Sequence, residues 1–371
     1  MNAPIPLVDL AAQQAEIADE VRPLLASVLE RAAFVGGPEV QRFETDFADY
    51  LGVGHCIGVA NGTDALEIAL RAVGVGPGSE VILPANTFIA TAEAVVRAGA
   101  SPVLVDVDDD CLLMDPREVA NAVTPRTRAV IPVHLFGQTA PVEQIIDALD
   151  GSGVEVVEDA AQSQGARRHG EAAGTLGSVA GTSFYPGKNL GAAGDAGAVV
   201  TNDAEVARIC RLLANHGSER KYVHEIIGFN SRMDTIQAVI LNAKLARLDK
   251  WNDARRQAAE RYHEMLSDLP GVRVPQTLAG NEHVWHLYVV RVMDRDRILE
   301  HLQNNGVGAG IHYPQPVHRT DAFREFDFAS SGFPVSERAA DEIVSLPIFP
   351  HIAIEQQERV VELLREALTL R

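Results

Sequence analysis

Lys188 is the residue best surrounded for chemistry in this 371-residue sequence. It lies in Ser183-Phe184-Tyr185-Pro186-Gly187-Lys188-Asn189-Leu190-Gly191, followed by Gly194-Asp195-Ala196-Gly197, a setting of small and apolar side chains. Desolvation disfavours an ammonium ion, so a buried lysine amine becomes a nucleophile able to form a Schiff base with an aldehyde cofactor or a ketone. The alternative is a solvated loop lysine beside glycines that only turn the chain. Upstream, Val154-Glu155-Val156-Val157 fits a buried parallel strand, and Asp159 falls where that strand releases its chain to a loop. Ligands collect at such carboxyl ends. A carboxylate there either holds a pyridine nitrogen in its protonated form or caps a following helix.

Asn61-Gly62-Thr63-Asp64-Ala65-Leu66-Glu67-Ile68-Ala69-Leu70 supplies a third part. Leu66, Ala69, Leu70 and Val73 fall at helical spacing, and Asp64 with Glu67 fits a capping pattern at the helix start. Backbone amides there, with the Thr63 hydroxyl, suit a phosphate. Phosphate cradle, aspartate and lysine together describe a site for pyridoxal 5′-phosphate (PLP).

The elements that must position these groups alternate. Apolar runs at Glu80–Leu83, Pro102–Val107, Ala129–Val133, Val154–Val157, Val179–Phe184 and Gly197–Thr201 are separated by amphipathic segments, which predicts an α/β fold with a mostly parallel sheet covered by helices. Thr235–Leu248 reads as a helix with Asp234 as its cap. A charged helical stretch then runs to Leu266, with a strand at Trp285–Val292 and helices at Arg295–Asn305 and Ile354–Leu370. The change of character near residue 250 predicts a large PLP-binding domain over 1–250 and a smaller C-terminal α+β domain over 251–371.

The chain resembles the PLP-dependent nucleotide-sugar aminotransferases of the DegT/DnrJ/EryC1/StrS family, within the aspartate aminotransferase fold, fold type I. The resemblance spans nearly the whole chain through Pro84–Thr91, Pro132–Gln138, Glu158–Gln162, the lysine loop and Gly228–Asp234. It implies that Lys188 forms the Schiff base and Asp159 meets the pyridine nitrogen, while Phe88 and Gln162 sandwich the ring. It also implies that Gly62, Thr63 and Ser183 hold the phosphate, with Asn230 reaching it from the second subunit of a homodimer that shares its active sites, and that the first few residues pack near the small domain. Relatives that became dehydratases replace the lysine with histidine, so transamination is favoured here over a lyase, while a noncatalytic regulator that binds PLP stays as a second alternative. No metal is called for.

On the substrate side, Gly310–His318 places His312, Tyr313 and His318 in a proline-restricted segment able to donate to phosphate or sugar hydroxyls. The resemblance puts it at the active-site mouth together with Tyr185, and brings Arg220, Lys221 and His224 from the partner subunit. Lys221–Arg232 and Gly310–Pro314 are similar to the branch acting on dTDP-linked 3-keto-6-deoxyhexoses, with glutamate as amino donor. Arg319-Thr320 and Ser163 depart from that branch, and a perosamine-type 4-keto sugar aminotransferase is the nearest alternative.

With 51 acidic against 32 basic residues, the net charge of −19 opposes nonspecific binding to nucleic acid or anionic membranes. An anionic sugar nucleotide therefore needs a local cluster of donors. The Asp106–Asp110 run reads as a solvated loop. Cys56, Cys111 and Cys210 form no paired motif and suggest a reducing compartment. The first residues lack a signal-peptide pattern and no apolar stretch approaches the roughly 20 residues of a membrane span, so a cytoplasmic enzyme is expected.

Overall fold

Short β-branched runs and amphipathic segments fold into alternating strands and helices. A computed structural model describes residues 4–326, 328 and 332–369. The chain opens with α1 (Leu10–Arg31) and α2 (Pro38–Leu51), then alternates β1 (His55–Val59), α3 (Gly62–Ala72), β2 (Glu80–Pro84), α4 (Ile89–Arg97) and β3 (Ser101–Val105). Next come α5 (Pro116–Ala122), β4 (Thr127–Val130), α6 (Val142–Ala148), β5 (Glu155–Asp159), β6 (Arg167–Arg168), β7 (Glu171–Ala172), β8 (Val179–Ser183) and β9 (Gly197–Thr201). Three helices follow: α7 (Ala204–Ala214), α8 (Thr235–Leu245) and α9 (Leu248–Leu266). The remainder holds β10 (Val272–Arg273), β11 (Asn281–Glu282), β12 (Tyr288–Val292), α10 (Arg295–Asn304), α11 (Pro334–Glu342), β13 (Ile343–Leu346) and α12 (Ile354–Thr369).

One seven-stranded sheet runs β1-β9-β8-β5-β4-β2-β3. Its pairs from β3 to β8 are parallel, and β9 and β1 join antiparallel at one edge. Strands β2 and β9 are buried at every position, as the apolar stretches Val81–Pro84 and Gly197–Val200 require for a sheet packed on both faces, with Glu80 buried against Arg126. The register is what builds the site. Asp159 lies opposite Gly181, so the carboxyl ends of β5 and β8 are adjacent and the chain leaving β8 carries Lys188 past Asp159's strand end.

A three-stranded sheet, β10-β12-β13, and a second apolar core organise the C-terminal part. Ile5 joins that core, pairing with Val307, so the first described residues do pack onto it. Position 250 falls inside α9, which makes the expected boundary a continuous helix rather than a linker. The single helix expected over Thr235–Leu248 is two helices, and Asp234 makes no side-chain cap bond. The strand expected from Trp285 begins at Tyr288, because Trp285 has a left-handed φ of 49° and stacks on His283. Leu370, the expected end of the last helix, lies outside the described residues.

The Asp106–Asp110 run is not a solvated loop. Asp106 accepts from the Val335 and Ser336 amides at the start of α11, and Asp109 pairs with Arg273, Arg291 and Arg338. Among the described residues, no helix is long and apolar enough to cross a membrane.

Candidate active site

Lys188 is held by its backbone: its amide donates to the Tyr185 carbonyl at 2.8 Å in the turn after β8. Part of the residue remains accessible, whereas its amine is enclosed enough that desolvation brings it down to about 8, with the Asp159 charge opposing. Among the described residues the amine has no hydrogen-bond or ion-pair partner. Asp159 is buried at the tip of β5, where the His134 amide donates to its carbonyl at 3.0 Å. Its Oδ2 accepts from the Thr91 hydroxyl at 2.7 Å and its Oδ1 from the Ala161 amide at 3.1 Å. Thus Asp159 closes a short turn on itself and caps no helix.

The start of α3 faces the end of β8. A Cβ on Gly62 would lie 2.6 Å from Ser183 Cβ, so only glycine lets the helix start approach this closely. Asn61 is the cap, accepting from the Asp64 amide at 2.8 Å. The expected capping role of Asp64 with Glu67 does not hold: both are buried and pair with Arg97, and Glu67 also with Arg71. That arrangement leaves the Gly62 and Thr63 amides without partners among the described residues, at the positive end of the helix dipole.

Phe88, at the start of α4, is 48% exposed although aromatic, and packs against Tyr313 with ring centroids 5.0 Å apart. Gln162 is fixed at both ends. Its Oε1 accepts from the Phe136 amide at 2.7 Å and its Nε2 donates to the Tyr313 hydroxyl at 2.9 Å. Burial, together with the Asp159 charge, pushes the Tyr313 hydroxyl well above its ordinary range. His312 is brought down to about 4 by burial and the charge of Lys188, and its Nδ1 meets Ser345 Oγ at 2.8 Å. Both rings therefore work as neutral groups beside the lysine.

Several site residues escaped the sequence reading. His286 is pushed far down by burial first and by Lys188 next, and it meets Asn189, the residue after the lysine, at 3.2 Å. Asn189 is also tied to Asn252 and the Val284 carbonyl, which anchors the lysine loop to α9. The His283-Val284-Trp285-His286 run was the available signal, but it read only as a strand start. Thr91, the partner of Asp159, ends the Pro84–Thr91 stretch that carries the resemblance, but no role was attached to it.

Other expected residues are not brought to Lys188 within the chain. Arg220, Lys221, His224 and Asn230 are exposed on the loop between α7 and α8, where Asn230 accepts from Arg232 and His224 meets the His216 carbonyl. His318 is engaged by Glu337 at 2.8 Å and packs on Phe333. Tyr185 is exposed on the lysine loop.

The residues present fit PLP. An unpartnered, desolvated amine suits its aldehyde, a glycine-lined helix start its phosphate, the exposed Phe88 face its ring and Asp159 its nitrogen. Residues 15–365 match the DegT/DnrJ/EryC1/StrS aminotransferase family. The chain is 44% identical to a dTDP-3-amino-3,4,6-trideoxy-alpha-D-glucose transaminase of Streptomyces venezuelae, covering 98% of this chain and 96% of that protein. It is equally 44% identical to a UDP-N-acetyl-3-dehydro-alpha-D-glucosamine 3-aminotransferase of Acidithiobacillus ferrooxidans, over 99% of both. The solved structure of S. venezuelae DesV in complex with a ketimine intermediate matches with a TM-score of 0.96, at 44% identity and full coverage of both chains.

Proposed function

Since the chain belongs to the DegT/DnrJ/EryC1/StrS aminotransferase family, we propose that it moves the amino group of glutamate to C3 of a dTDP-linked 3-keto-6-deoxyhexose, in deoxyamino sugar biosynthesis. It is a PLP-dependent aminotransferase of the type I fold. The observation that carries the reading is Lys188, a desolvated amine near 8 with no partner among the described residues, in the field of Asp159. Relatives acting on dTDP-linked and UDP-linked sugars are both named for position 3 at the same identity, which supports the carbon more strongly than the base.

In this reading Gly62, Thr63 and Ser183 hold the phosphate, Phe88 and Gln162 flank the ring, and Asp159 faces its nitrogen. Bound PLP supplies the electron sink and carries the amino group between the two halves of the reaction. Lys188 Nζ, near 8, keeps a usable neutral fraction at physiological pH and takes the proton from the donor's α-carbon. Within that half it delivers the proton to the cofactor's exocyclic carbon, and in the second half it moves a proton from that carbon to the sugar carbon that receives the nitrogen. His312, Tyr313, His318 and Tyr185 serve the sugar nucleotide, and Tyr313 also closes the Phe88 side against water.

Asn230, Arg220, Lys221 and His224 act across a two-fold homodimer with shared sites. Their loop carries Tyr222 and Ile227 at 82% and 91% exposure, an apolar surface that supports a subunit contact. The three cysteines are unpaired, which supports a cytoplasmic setting. The test is incubation with glutamate and a panel of dTDP- and UDP-linked 3-keto and 4-keto sugars, with the product identified by NMR. Nitrogen at C3 of the dTDP sugar is expected; nitrogen at C4 would reject the assignment.

A further inference from the structure

Asp159 does not stand alone. The Thr91 hydroxyl lies 2.7 Å from its Oδ2, and the Thr87 hydroxyl lies 2.8 Å from that of Thr91. Both threonines are buried, at 2% and 0% exposure, so the chain of hydroxyls does not compete with bulk solvent. With Asp159 ionised, the direction of that chain is fixed. An ionised carboxylate can only accept, so Thr91 must donate to Asp159. Thr91 has one hydroxyl proton and has spent it there, so Thr87 must donate to Thr91.

The carboxylate is fixed on both sides. Oδ1 accepts from the Ala161 amide, and the main chain of Asp159 is bonded to His134 and Pro132 of the neighbouring strand end. Each oxygen uses one lone pair in these bonds and keeps another for a donor in the cleft. Burial alone favours the neutral acid, whereas hydrogen bonds donated to the anion favour its charge.

We propose that Thr91, with Thr87 behind it, is a positioning residue that keeps Asp159 ionised and aimed, so that the proton shared with the cofactor's ring nitrogen resides on the nitrogen. The inference rests on the reading that Asp159 faces that nitrogen. Without the Thr91 hydroxyl the carboxylate becomes a stronger proton acceptor, the proton moves toward it, and the ring weakens as an electron sink.

The experiment reconstitutes the full-length protein with PLP carrying 15N at the ring nitrogen and records the nitrogen chemical shift, alongside PLP affinity and the single-turnover rate with glutamate. The parent should give a pyridinium signal. Thr91→Val, which keeps the shape and removes the hydroxyl, should move the signal toward neutral pyridine and slow the glutamate step about ten- to hundredfold, the range for one hydrogen bond to a charged group. PLP affinity should change little, because the phosphate is gripped at α3. Thr91→Ser should restore the pyridinium signal, and Thr87→Val should shift it the same way by less.

An unchanged pyridinium signal in Thr91→Val overturns the proposal. Should that variant not fold, Thr91→Ala and Thr87→Val read the same quantity, and unchanged signals in both overturn it. A neutral nitrogen in the parent would sink the Asp159 assignment itself, and this inference with it; a pyridinium parent with an insensitive Thr91→Val sinks the inference alone.

Discussion

Burial brings the amines of both Lys188 and Lys244 down to about 8, yet the two regions put them to different uses. Lys244, on α8, is 4% exposed and donates to the Gly191 carbonyl at 2.7 Å. Lys188 has no such partner among the described residues, sits in the field of Asp159 and lies near a helix start, an exposed phenylalanine and two neutral histidines. Desolvation alone therefore does not mark an active lysine. What marks it is a lowered amine left unpaired where a carboxylate and an anion cradle converge. The regions are also mechanically joined, because Gly191 closes the loop that carries Lys188.

The largest expected difference between the two is Lys188→Ala, which removes both the covalent attachment and the proton carrier. Turnover with glutamate should fall by about a thousandfold or more, with circular dichroism unchanged and PLP retained through its phosphate. Persistence of the long-wavelength absorbance of lysine-bound cofactor in that variant would transfer the role to another lysine, Lys244 being the first to examine.

Asp159→Asn asks whether the charge facing Lys188 matters beyond its own geometry. Both half-reactions should slow by about a hundredfold or more, the usual scale for losing a preorganised electrostatic partner. Single-turnover rates matching the parent would show that the ring nitrogen has another partner.

Much of the catalytic floor is legible in the sequence because it is built from contiguous signals. Val154–Val157 is an apolar run that ends at the strand tip bearing Asp159, and the glycines around Lys188 announce a turn. Apolar neighbours by themselves do not separate Lys188 from Lys244, which lies in Leu241-Asn242-Ala243-Lys244-Leu245; the glycine turn and the Asp159 segment do. The Gly191 carbonyl that occupies Lys244 is distant in sequence and becomes visible only in the fold. His286, Asn189 and Thr91 were missed for the same reason: each acts through a partner supplied by another element. Asp106–Asp110 misled more actively, since five residues rich in aspartate look solvated until the arginines of the C-terminal part are in place. The loop of Arg220–Asn230 is held by main-chain bonds, Glu225 to Gly217 and Phe229 to Leu213, while Arg220, Lys221, His224 and Asn230 are exposed, so no apolar period in the sequence announces them.

Asp109 provides a control outside the cleft. Burial raises its carboxyl, but hydrogen bonds from Arg338, Arg291 and Arg273 override that and hold it far below the usual carboxylate range. A lowered carboxyl stabilises the fold above its unfolded pKa, near 4, and loses that contribution as pH falls below it. Asp109 is 39% exposed, so after solvent screening Asp109→Asn should cost about 1 kcal/mol at neutral pH and progressively less in acid. Denaturant titrations at pH 7 and at pH values below 4 check this. A loss of activity as deep as that of Asp159→Asn, with stability intact, would mean the contact of Asp109 with Arg273, Arg291 and Arg338 belongs to the catalytic apparatus.

Lys244→Met should have the smallest effect and test the comparison most finely. The drop of the Lys244 amine from 10.5 to about 8 corresponds to about 3 kcal/mol spent keeping the ammonium buried. Methionine removes that cost but leaves the Gly191 carbonyl without its donor, which costs about 1–3 kcal/mol. The two nearly cancel, so stability at pH 7 should change little. The pH dependence should not cancel. Because the folded pKa is lowered, the penalty is fully present below about 8 and fades as pH rises toward 10.5, where the unfolded chain also gives up its proton. The parent should therefore gain stability relative to the variant between pH 8 and pH 10, measurable by denaturant titration across that range. Activity should fall less than about tenfold, since the amine of Lys188 is untouched and only the far end of its loop is loosened. A variant as inactive as Lys188→Ala, yet folded, would show that the hydrogen-bonded lysine is part of the chemistry and that pairing does not separate the two.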